Sequence, residues 1–176
     1  MKFTQTPIEG AWLVALEPRG DERGSFARSF CTAEFAQHGL ETVYVQQNVS
    51  RSARKGTLRG MHFQLGEHAE VKLIRCARGA IYDVLVDIRP ASPSYGRWFG
   101  AELSGDNGVQ MYAPAGVAHG FMTLTDDVEV TYLNSRAYAP GHEGGLRYND
   151  PAVGIVWPGD VTVIAPKDEA WPDFVR

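Results

Sequence analysis

Cysteine is scarce in this sequence: Cys31 and Cys76 are the only two among 176 residues, and no C-x-x-C pair occurs. Two cysteines cannot form the set of disulfides that holds a small secreted domain together. We therefore expect both to be reduced, partly buried thiols.

The sequence also lacks long apolar runs and an excess of basic residues. No run approaches the ~20 apolar residues that a membrane span needs, and the opening M-K-F-T-Q-T-P has no apolar signal-peptide core. The formal net charge of -4 does not fit the basic balance of a nucleic-acid binder. We therefore expect a cytoplasmic protein whose partners include neither nucleic acid nor a membrane.

Short runs rich in Val, Ile, Tyr and Trp are abundant, and turn signals such as G-D-N-G separate them. Many short strands spaced by roughly 8–12 residues predict a sandwich or a barrel. We therefore expect one all-β domain over residues 1–176, a cupin-type jelly roll (double-stranded β-helix) with one or two short helices. The expected strands are Val43–Gln46, Val71–Cys76, Ala80–Arg89, Trp98–Leu103, Val109–Tyr112 and Val128–Leu133.

One helix is predicted at residues 33–38. Thr32 can cap its first turn, and Gly39 suits the left-handed position after its end. The chain from Pro151 onward is rich in Pro, Trp and acidic residues, and we expect it to wrap around the surface.

The segment L-R-G-M-H-F-Q, residues 58–64, is the first candidate for chemistry. His62 lies between apolar residues, so its imidazole either faces a ligand cavity or occupies a satisfied position in the core. Arg59 and His62 would face opposite sides of an unbroken strand. Both can line one pocket only if the strand begins at, or bulges around, Gly60.

Tyr132, in V-E-V-T-Y-L, is the second candidate. It shares the parity of Val128 and Val130, so we expect its ring to face the interior. A buried tyrosine hydroxyl must find a partner in the protein or meet a ligand, and the segment alone leaves both possibilities open.

The third candidate is P-A-G-V-A-H at residues 114–119, which fits the P-x-G-x-x-H pattern of the second cupin motif. The histidine of that motif often binds a metal ion. The first cupin motif supplies a His-x-His pair, but here its second position is Gln64. Catalytic zinc and non-haem iron need about three strong ligands. Only His62 and His119 can be assembled, so we expect no metal.

Cationic, aromatic and amide side chains form a fourth set. Arg23, in D-E-R-G-S-F, can bind a phosphate, and Phe26 can stack on a base. Each could equally be part of a solvated surface. Further donors suited to a diphosphate and a nucleoside are Gln46, Asn48, Arg59 and Lys72.

Together these segments resemble the dTDP-4-dehydrorhamnose 3,5-epimerase family over nearly the whole chain. Each matching piece is short, but the pieces are many and follow one order. They are D-E-R-G-S-F, Q-Q-N-V-S, L-R-G-M-H-F-Q, E-V-K-L-I-R, V-D-I-R-P-A-S-P, A-P-A-G-V-A-H-G-F, E-V-T-Y, Y-N-D-P, W-P and P-K-D. The resemblance implies a cupin jelly roll, a homodimer with exchanged N-terminal strands, and catalysis without a cofactor.

The resemblance also implies the chemistry. The substrate would be a nucleotide-diphosphate 4-keto-6-deoxyhexose, inverted at C3, C5 or both. A base removes a proton beside the C4 ketone, and an acid returns one to the other face of the enolate. By position, His62 matches the base, Asp168 the carboxylate that orients it, and Tyr132 the acid. Lys72 matches a cation near the ketone oxygen, where it would stabilise the enolate.

A further set of positions matches those that hold the nucleotide and diphosphate: Arg23, Phe26, Gln46, Asn48, Arg59, His119 and Tyr138. One substrate-binding position departs from the family, because Arg28 stands where a glutamate is common. Glutamate accepts hydrogen bonds, whereas arginine only donates them. The same chemistry on a cytidine- or guanosine-linked sugar is therefore an alternative to thymidine.

Three other functions remain open on the sequence alone. They are a ketoisomerase acting on the same substrate, a metal-dependent cupin enzyme, and a cupin that only binds sugar nucleotides. The intact set of His62, Tyr132 and Asp168 argues against the last of these.

Overall fold

The structure is a computed structural model that describes residues 1–175; Arg176, the last residue of the expected domain, lies outside the described residues. The chain forms short strands and two short helices, which confirms the predicted all-β jelly roll. The strands are β1 (Lys2–Gln5), β2 (Trp12–Ala15), β3 (Arg19–Asp21), β4 (Gly24–Phe26), β5 (Gln46–Ser52), β6 (Thr57–Gln64), β7 (Lys72–Arg78), β8 (Ala80–Asp87), β9 (Trp98–Ser104), β10 (Val109–Ala113), β11 (Val117–Thr123), β12 (Val128–Asn134), β13 (Glu143–Gly145) and β14 (Val163–Ile164). The helices are α1 (Thr32–Gln37) and α2 (Pro166–Glu169).

Two six-stranded sheets form the walls of the jelly roll. The first has the order β1-β2-β10-β7-β12-β5, and the second has the order β13-β6-β11-β8-β9, with β14 running parallel to the start of β6. Alternate residues of the strands point inward, and their apolar side chains form the core between the sheets, among them Ile74, Leu85, Met111, Phe121 and Val130. The two remaining strands, β3 and β4, form a separate exposed hairpin.

Several predicted element boundaries are wrong; the strand expected at Ala80–Arg89, for example, ends at Asp87. The strand expected at Val43–Gln46 begins only at Gln46, because the carboxylate of Glu41 accepts hydrogen bonds from the backbone N–H groups of Thr42 and Val43 and turns the chain there. Helix α1 starts one residue early, so Cys31 and not Thr32 holds the N-cap position, without a side-chain cap. Gly39 has the expected left-handed backbone, with φ of 67°.

The segment after residue 150 covers the outer face of the second sheet, as predicted. Val153, Trp157 and Phe174 pack there against Met61 and Val84. The same segment also carries β14 and α2, which the sequence analysis did not predict. Within residues 1–175, no helix combines the length and the apolar character that crossing a membrane requires.

Candidate active site

Arg59 and His62 reach the same cavity because β6 bulges between them. Opposite β11, His62 pairs with His119 and Arg59 pairs with Phe121, so two residues of β6 face one residue of β11. Gly60 has a φ of 122°, and a Cβ at this position would lie 2.5 Å from the Cα of Gly120. Only glycine can take this conformation at so close an approach. Of the two conditions that the sequence left open, a strand that begins at Gly60 or one that bulges around it, the structure shows the bulge.

The cavity has a volume of about 540 Å³ and is bounded by both sheets and by α2. Strands β5, β7 and β12 supply one wall, and β6 and β13 supply the facing wall. Most of the residues that the sequence singled out lie here together: Gln46, Asn48, Arg59, His62, Lys72, Tyr132, Tyr138 and Asp168.

His62 and Asp168 form a hydrogen-bonded pair on the second sheet's wall. The Nε2 atom of His62 lies 2.7 Å from Oδ1 of Asp168, and the N–H of Gly60 donates to Oδ2 of Asp168 at 3.1 Å. Burial alone would raise the pKa of Asp168, but the hydrogen bond and charge of His62 outweigh it and hold that pKa below its usual value. The carboxylate is therefore ionised and accepts a hydrogen bond from the N–H at Nε2, which leaves Nδ1 as the basic nitrogen.

Tyr132 and Lys72 lie on the opposite wall, on β12 and β7 of the first sheet. Burial raises the pKa of Tyr132, and the charge of Glu70 raises it further, whereas Arg59 lowers it. The phenol therefore keeps its proton at neutral pH and can act as an acid. The base candidate and the acid candidate thus stand on different sheets, with the cavity between them.

Sequence reasoning missed several residues of the cavity. Glu70 lies next to Lys72, with Oε1 3.0 Å from Nζ; the Glu70 side chain is buried, and that of Lys72 is 12% exposed. Glu70 lies two residues before Lys72, at which β7 begins, and this shared parity is the signal that could have found it. Asn134 also lines this wall, whereas Lys167 and Trp171 line the cavity beside Asp168. No motif pointed to Asn134 or Trp171, and Lys167 stood only inside the P-K-D match, without an assigned role.

Polar contacts hold the rim of the cavity in place. Gln46 donates to Asn48 Oδ1 at 3.1 Å and accepts from the backbone N–H of Tyr138 at 2.9 Å. Arg59 donates to Ser52 Oγ at 3.2 Å and to the carbonyl of Arg51 at 3.0 Å. These amide and guanidinium groups are fixed in positions where a polar ligand can meet them.

Gln64, at the position of the absent second histidine, has a structural task. Its amide donates to the carbonyls of His68 and Ala137 and accepts from the N–H of Ala139. Among residues 1–175, no group of three or more His, Cys, Asp and Glu side chains is placed to hold a metal ion.

Four predicted residues do not line this cavity. His119 is turned to Asp83, with Nε2 2.7 Å from Oδ1, and its side chain is only 9% exposed. Arg23 and Phe26 lie on or beside the exposed β3–β4 hairpin, and they are largely solvent-accessible. Arg28 pairs with Glu34 at 2.8 Å and lines a separate cavity of about 450 Å³.

Comparison with known proteins finds one matching family and several similar relatives. The family model described as dTDP-4-dehydrorhamnose 3,5-epimerase matches residues 5–176. The chain is similar to the enzyme of that name from Sinorhizobium fredii, with 45% identity over 99% of this chain and 90% of the relative. It is also similar to a dTDP-4-dehydrorhamnose 3-epimerase from Streptomyces niveus, with 36% identity over 96% of this chain and 82% of the relative.

Among solved structures, the chain is similar to dTDP-4-dehydrorhamnose 3,5-epimerase from Bacillus anthracis, crystallised with TDP and PPi bound. The TM-score is 0.95 at 39% identity, and the match covers 98% of this chain and 99% of that one.

Proposed function

The chain belongs to the dTDP-4-dehydrorhamnose 3,5-epimerase family, and from this premise we propose that it epimerises a thymidine-diphosphate 4-keto-6-deoxyhexose at C3 and C5. The reaction proceeds by proton transfer through an enolate. One observation carries the proposal: the His62–Asp168 pair and the protonated Tyr132 stand on opposite walls of a single cavity.

The proposed roles follow from those positions. The C4 ketone makes the neighbouring C–H groups acidic, and Nδ1 of His62 takes one of these protons. The electron pair of the broken C–H bond forms the enolate, whose oxygen Lys72 stabilises. Tyr132 then delivers a proton to the carbon from the other side, which inverts the centre. His62 releases its proton to solvent and Tyr132 regains one before the next step. No metal or organic cofactor takes part in these steps.

The substrate's diphosphate and nucleoside are proposed to bind at the cavity rim. Arg59 offers a guanidinium to the phosphates, and Gln46, Asn48 and Tyr138 offer polar groups to the nucleoside. His119, on β11, is proposed to support the neighbouring strand β6, which carries Arg59, since the imidazole of His119 is buried against Asp83.

We further propose a homodimer in which each protomer lends its β3–β4 hairpin to its partner. A two-stranded hairpin is marginally stable by itself, and this one exposes 77% of Phe26. Strand β5 pairs only with β12 among the described residues and so forms an edge of the first sheet; it exposes Val49, and its inward side chains line the cavity. A hairpin docked on the partner's β5 would bring Arg23, Phe26 and Arg28 toward the substrate. We expect the mass of a dimer in solution at micromolar concentration; a monomer would contradict this.

Two observations keep related alternatives in view. The similarity to a 3-epimerase favours a test of whether both centres are inverted. Arg28, a donor at the position where the family commonly has an acceptor, favours a test of the base. If Arg28 contacts the base, a cytidine- or guanosine-linked sugar would be the better substrate.

Product analysis in heavy water tests all of these points. The thymidine-, cytidine- and guanosine-diphosphate 4-keto-6-deoxyhexoses are incubated with the enzyme, and deuterium at C3 and C5 is read by NMR. We expect deuterium and inversion at both carbons, with the thymidine sugar preferred, and the same rate after exhaustive chelation. A shifted keto group would indicate a ketoisomerase. If deuterium fails to enter at C3, at C5 or at both, the proposal of epimerisation at both carbons is refuted.

A further inference from the structure

Glu70 lies beside the proposed proton-transfer groups but has no role in the mechanism above. We infer that Glu70 and Lys72 together bind the hydroxyketone unit of the sugar: Lys72 donates to the C4 ketone oxygen, and Glu70 accepts a hydrogen bond from the C3 hydroxyl. This inference rests on the proposed function and adds a specificity-determining residue to it.

The hydrogen bonding of Glu70 is incomplete. Its Oε1 lies 3.0 Å from Nζ of Lys72, but its Oε2 is buried and has no hydrogen-bond partner among the described residues. Glu70 is 8% exposed as a residue, and it lines the cavity. Buried polar atoms in folded proteins nearly always have a partner. A carboxylate oxygen can only accept a hydrogen bond, so the missing partner is a donor.

A second unpartnered oxygen lies at the same end of the cavity. Asn134 is directly opposite Lys72 in the pairing of β12 with β7, and its buried Oδ1 has no hydrogen-bond partner within residues 1–175. By contrast, the buried amide of Gln64 is bonded on both its oxygen and its nitrogen. Unused acceptors therefore cluster around Lys72, where a ligand that brings hydroxyl groups would satisfy them.

A 4-keto-6-deoxyhexose carries the complementary pair of groups. Its ketone oxygen is an acceptor, and the hydroxyl on the adjacent C3 is a donor, so both point to one side of the ring edge. The ammonium of Lys72 and the carboxylate of Glu70 present a donor beside an acceptor in the same arrangement. The other neighbour of the ketone, C5, bears a methyl group in place of a hydroxyl. Contact with Glu70 therefore distinguishes the C3 side of the ketone from the C5 side and fixes how the ring lies between His62 and Tyr132.

The test compares two substrates that differ only at C3. One is the thymidine-diphosphate 4-keto-6-deoxyhexose, and the other is its 3-deoxy analogue. The rate of deuterium uptake at C5 in heavy water is measured for both, because that exchange needs no hydroxyl at C3. In the wild type, loss of the hydroxyl leaves Oε2 of Glu70 without a hydrogen-bond donor, and kcat/KM for C5 exchange is expected to fall by about 5- to 150-fold.

Two variants show whether Glu70 causes the preference. In Glu70→Ala the ratio between the two substrates should fall close to one. In Glu70→Gln, which keeps the shape and a weaker neutral acceptor, the ratio should lie between that of Glu70→Ala and that of the wild type. Glu129→Gln is the matched control: Glu129 pairs with Arg51 at 2.8 Å outside the cavity, and its substitution should change neither rate nor ratio. Thermal unfolding of each variant verifies that it is folded.

The outcomes separate the inference from the proposed function. If the wild type takes up no deuterium from the natural substrate, the proposed function fails. If it does, but a folded Glu70 variant slows both substrates equally and keeps the wild-type ratio, Glu70 only positions Lys72 and the hydroxyl-binding inference is overturned.

Discussion

Two histidine–aspartate pairs lie side by side in this protein, and they differ in almost everything except their geometry. His62 on β6 and His119 on β11 are direct cross-strand partners, and each has its Nε2 2.7 Å from an aspartate Oδ1. The His62 side chain is 42% exposed to the cavity side, whereas that of His119 is 9% exposed. A short His–Asp contact therefore does not by itself identify a base; access to a ligand does.

The two aspartates also reach their histidines by different routes. Asp83 lies on β8, which is hydrogen-bonded to β11, so that pair is contained within one sheet. Asp168 is carried by α2, which reaches β6 after the chain has passed through β14. The sheet holds the first pair whether or not a ligand binds, while the second pair depends on a docked segment that also borders the cavity.

The largest expected difference between the pairs is in turnover. His62→Ala removes the positioned base, and a loss of about 10²–10⁴-fold in kcat is expected. His119→Ala should lower kcat less, but it should lower the free energy of unfolding by about 1–3 kcal/mol, because it leaves Asp83 buried without its partner. Initial rates and chemical denaturation of both variants measure this. An equal loss of kcat in a fully stable His119→Ala would break the comparison.

Substitutions of the two aspartates should differ in the same way, one lowering kcat and the other lowering stability. In Asp168→Asn the amide can donate its own N–H to Nε2 of His62, which shifts the proton to Nδ1 and removes the basic nitrogen. We expect a loss of kcat of up to ~10⁴-fold, with little change in the shape of the side chain. Asp83→Asn should lower the midpoint of thermal unfolding and leave most of kcat. Comparable rates in the two variants would mean that the tautomer of His62 is not set by Asp168.

The smallest expected effect is on the stability of the fold at acid pH. A third carboxylate, Asp87, is the reference for it. Burial would raise the pKa of Asp87, but hydrogen bonds from Arg89, Ser92 and Ser94 outweigh it and lower that pKa to about 2. A lowered pKa stabilises the fold above the carboxyl's ordinary pKa, and this contribution is lost as pH falls from about 4 to about 2. It amounts to about 2 kcal/mol.

Asp87→Asn should therefore flatten the dependence of unfolding free energy on pH in that window. Asp168→Asn should flatten it in the same direction, since the pKa of Asp168 is also lowered. Urea denaturation at several pH values provides the measurement. An unchanged slope in Asp87→Asn would show that this cluster does not contribute to acid stability.

Runs rich in β-branched and aromatic residues were enough to predict β7, β8, β9, β10 and β12. The period of two, which burial on one face of a strand imposes, predicted the inward direction of Tyr132. The same rule exposed the conflict between Arg59 and His62 and located the bulge at Gly60. Glu70 was missed because a charged residue before a strand has no motif, and its carboxylate is buried together with the neighbouring Lys72, with which it pairs. Strand β14, which directly precedes α2, was missed because its two residues are too few to show a period. The position of α2 was missed with it.

The route of the chain to Asp168 has a consequence for biosynthesis. His62 and its carboxylate are separated by 106 residues, and synthesis proceeds from the N-terminus. While residues after β12 are still inside the ribosome, the first sheet and strands β6, β11, β8 and β9 of the second sheet can form, yet the imidazole of His62 has no carboxylate to orient it. A nascent chain would therefore acquire its barrel first and its oriented base only when the segment carrying β14 and α2 has emerged and docked.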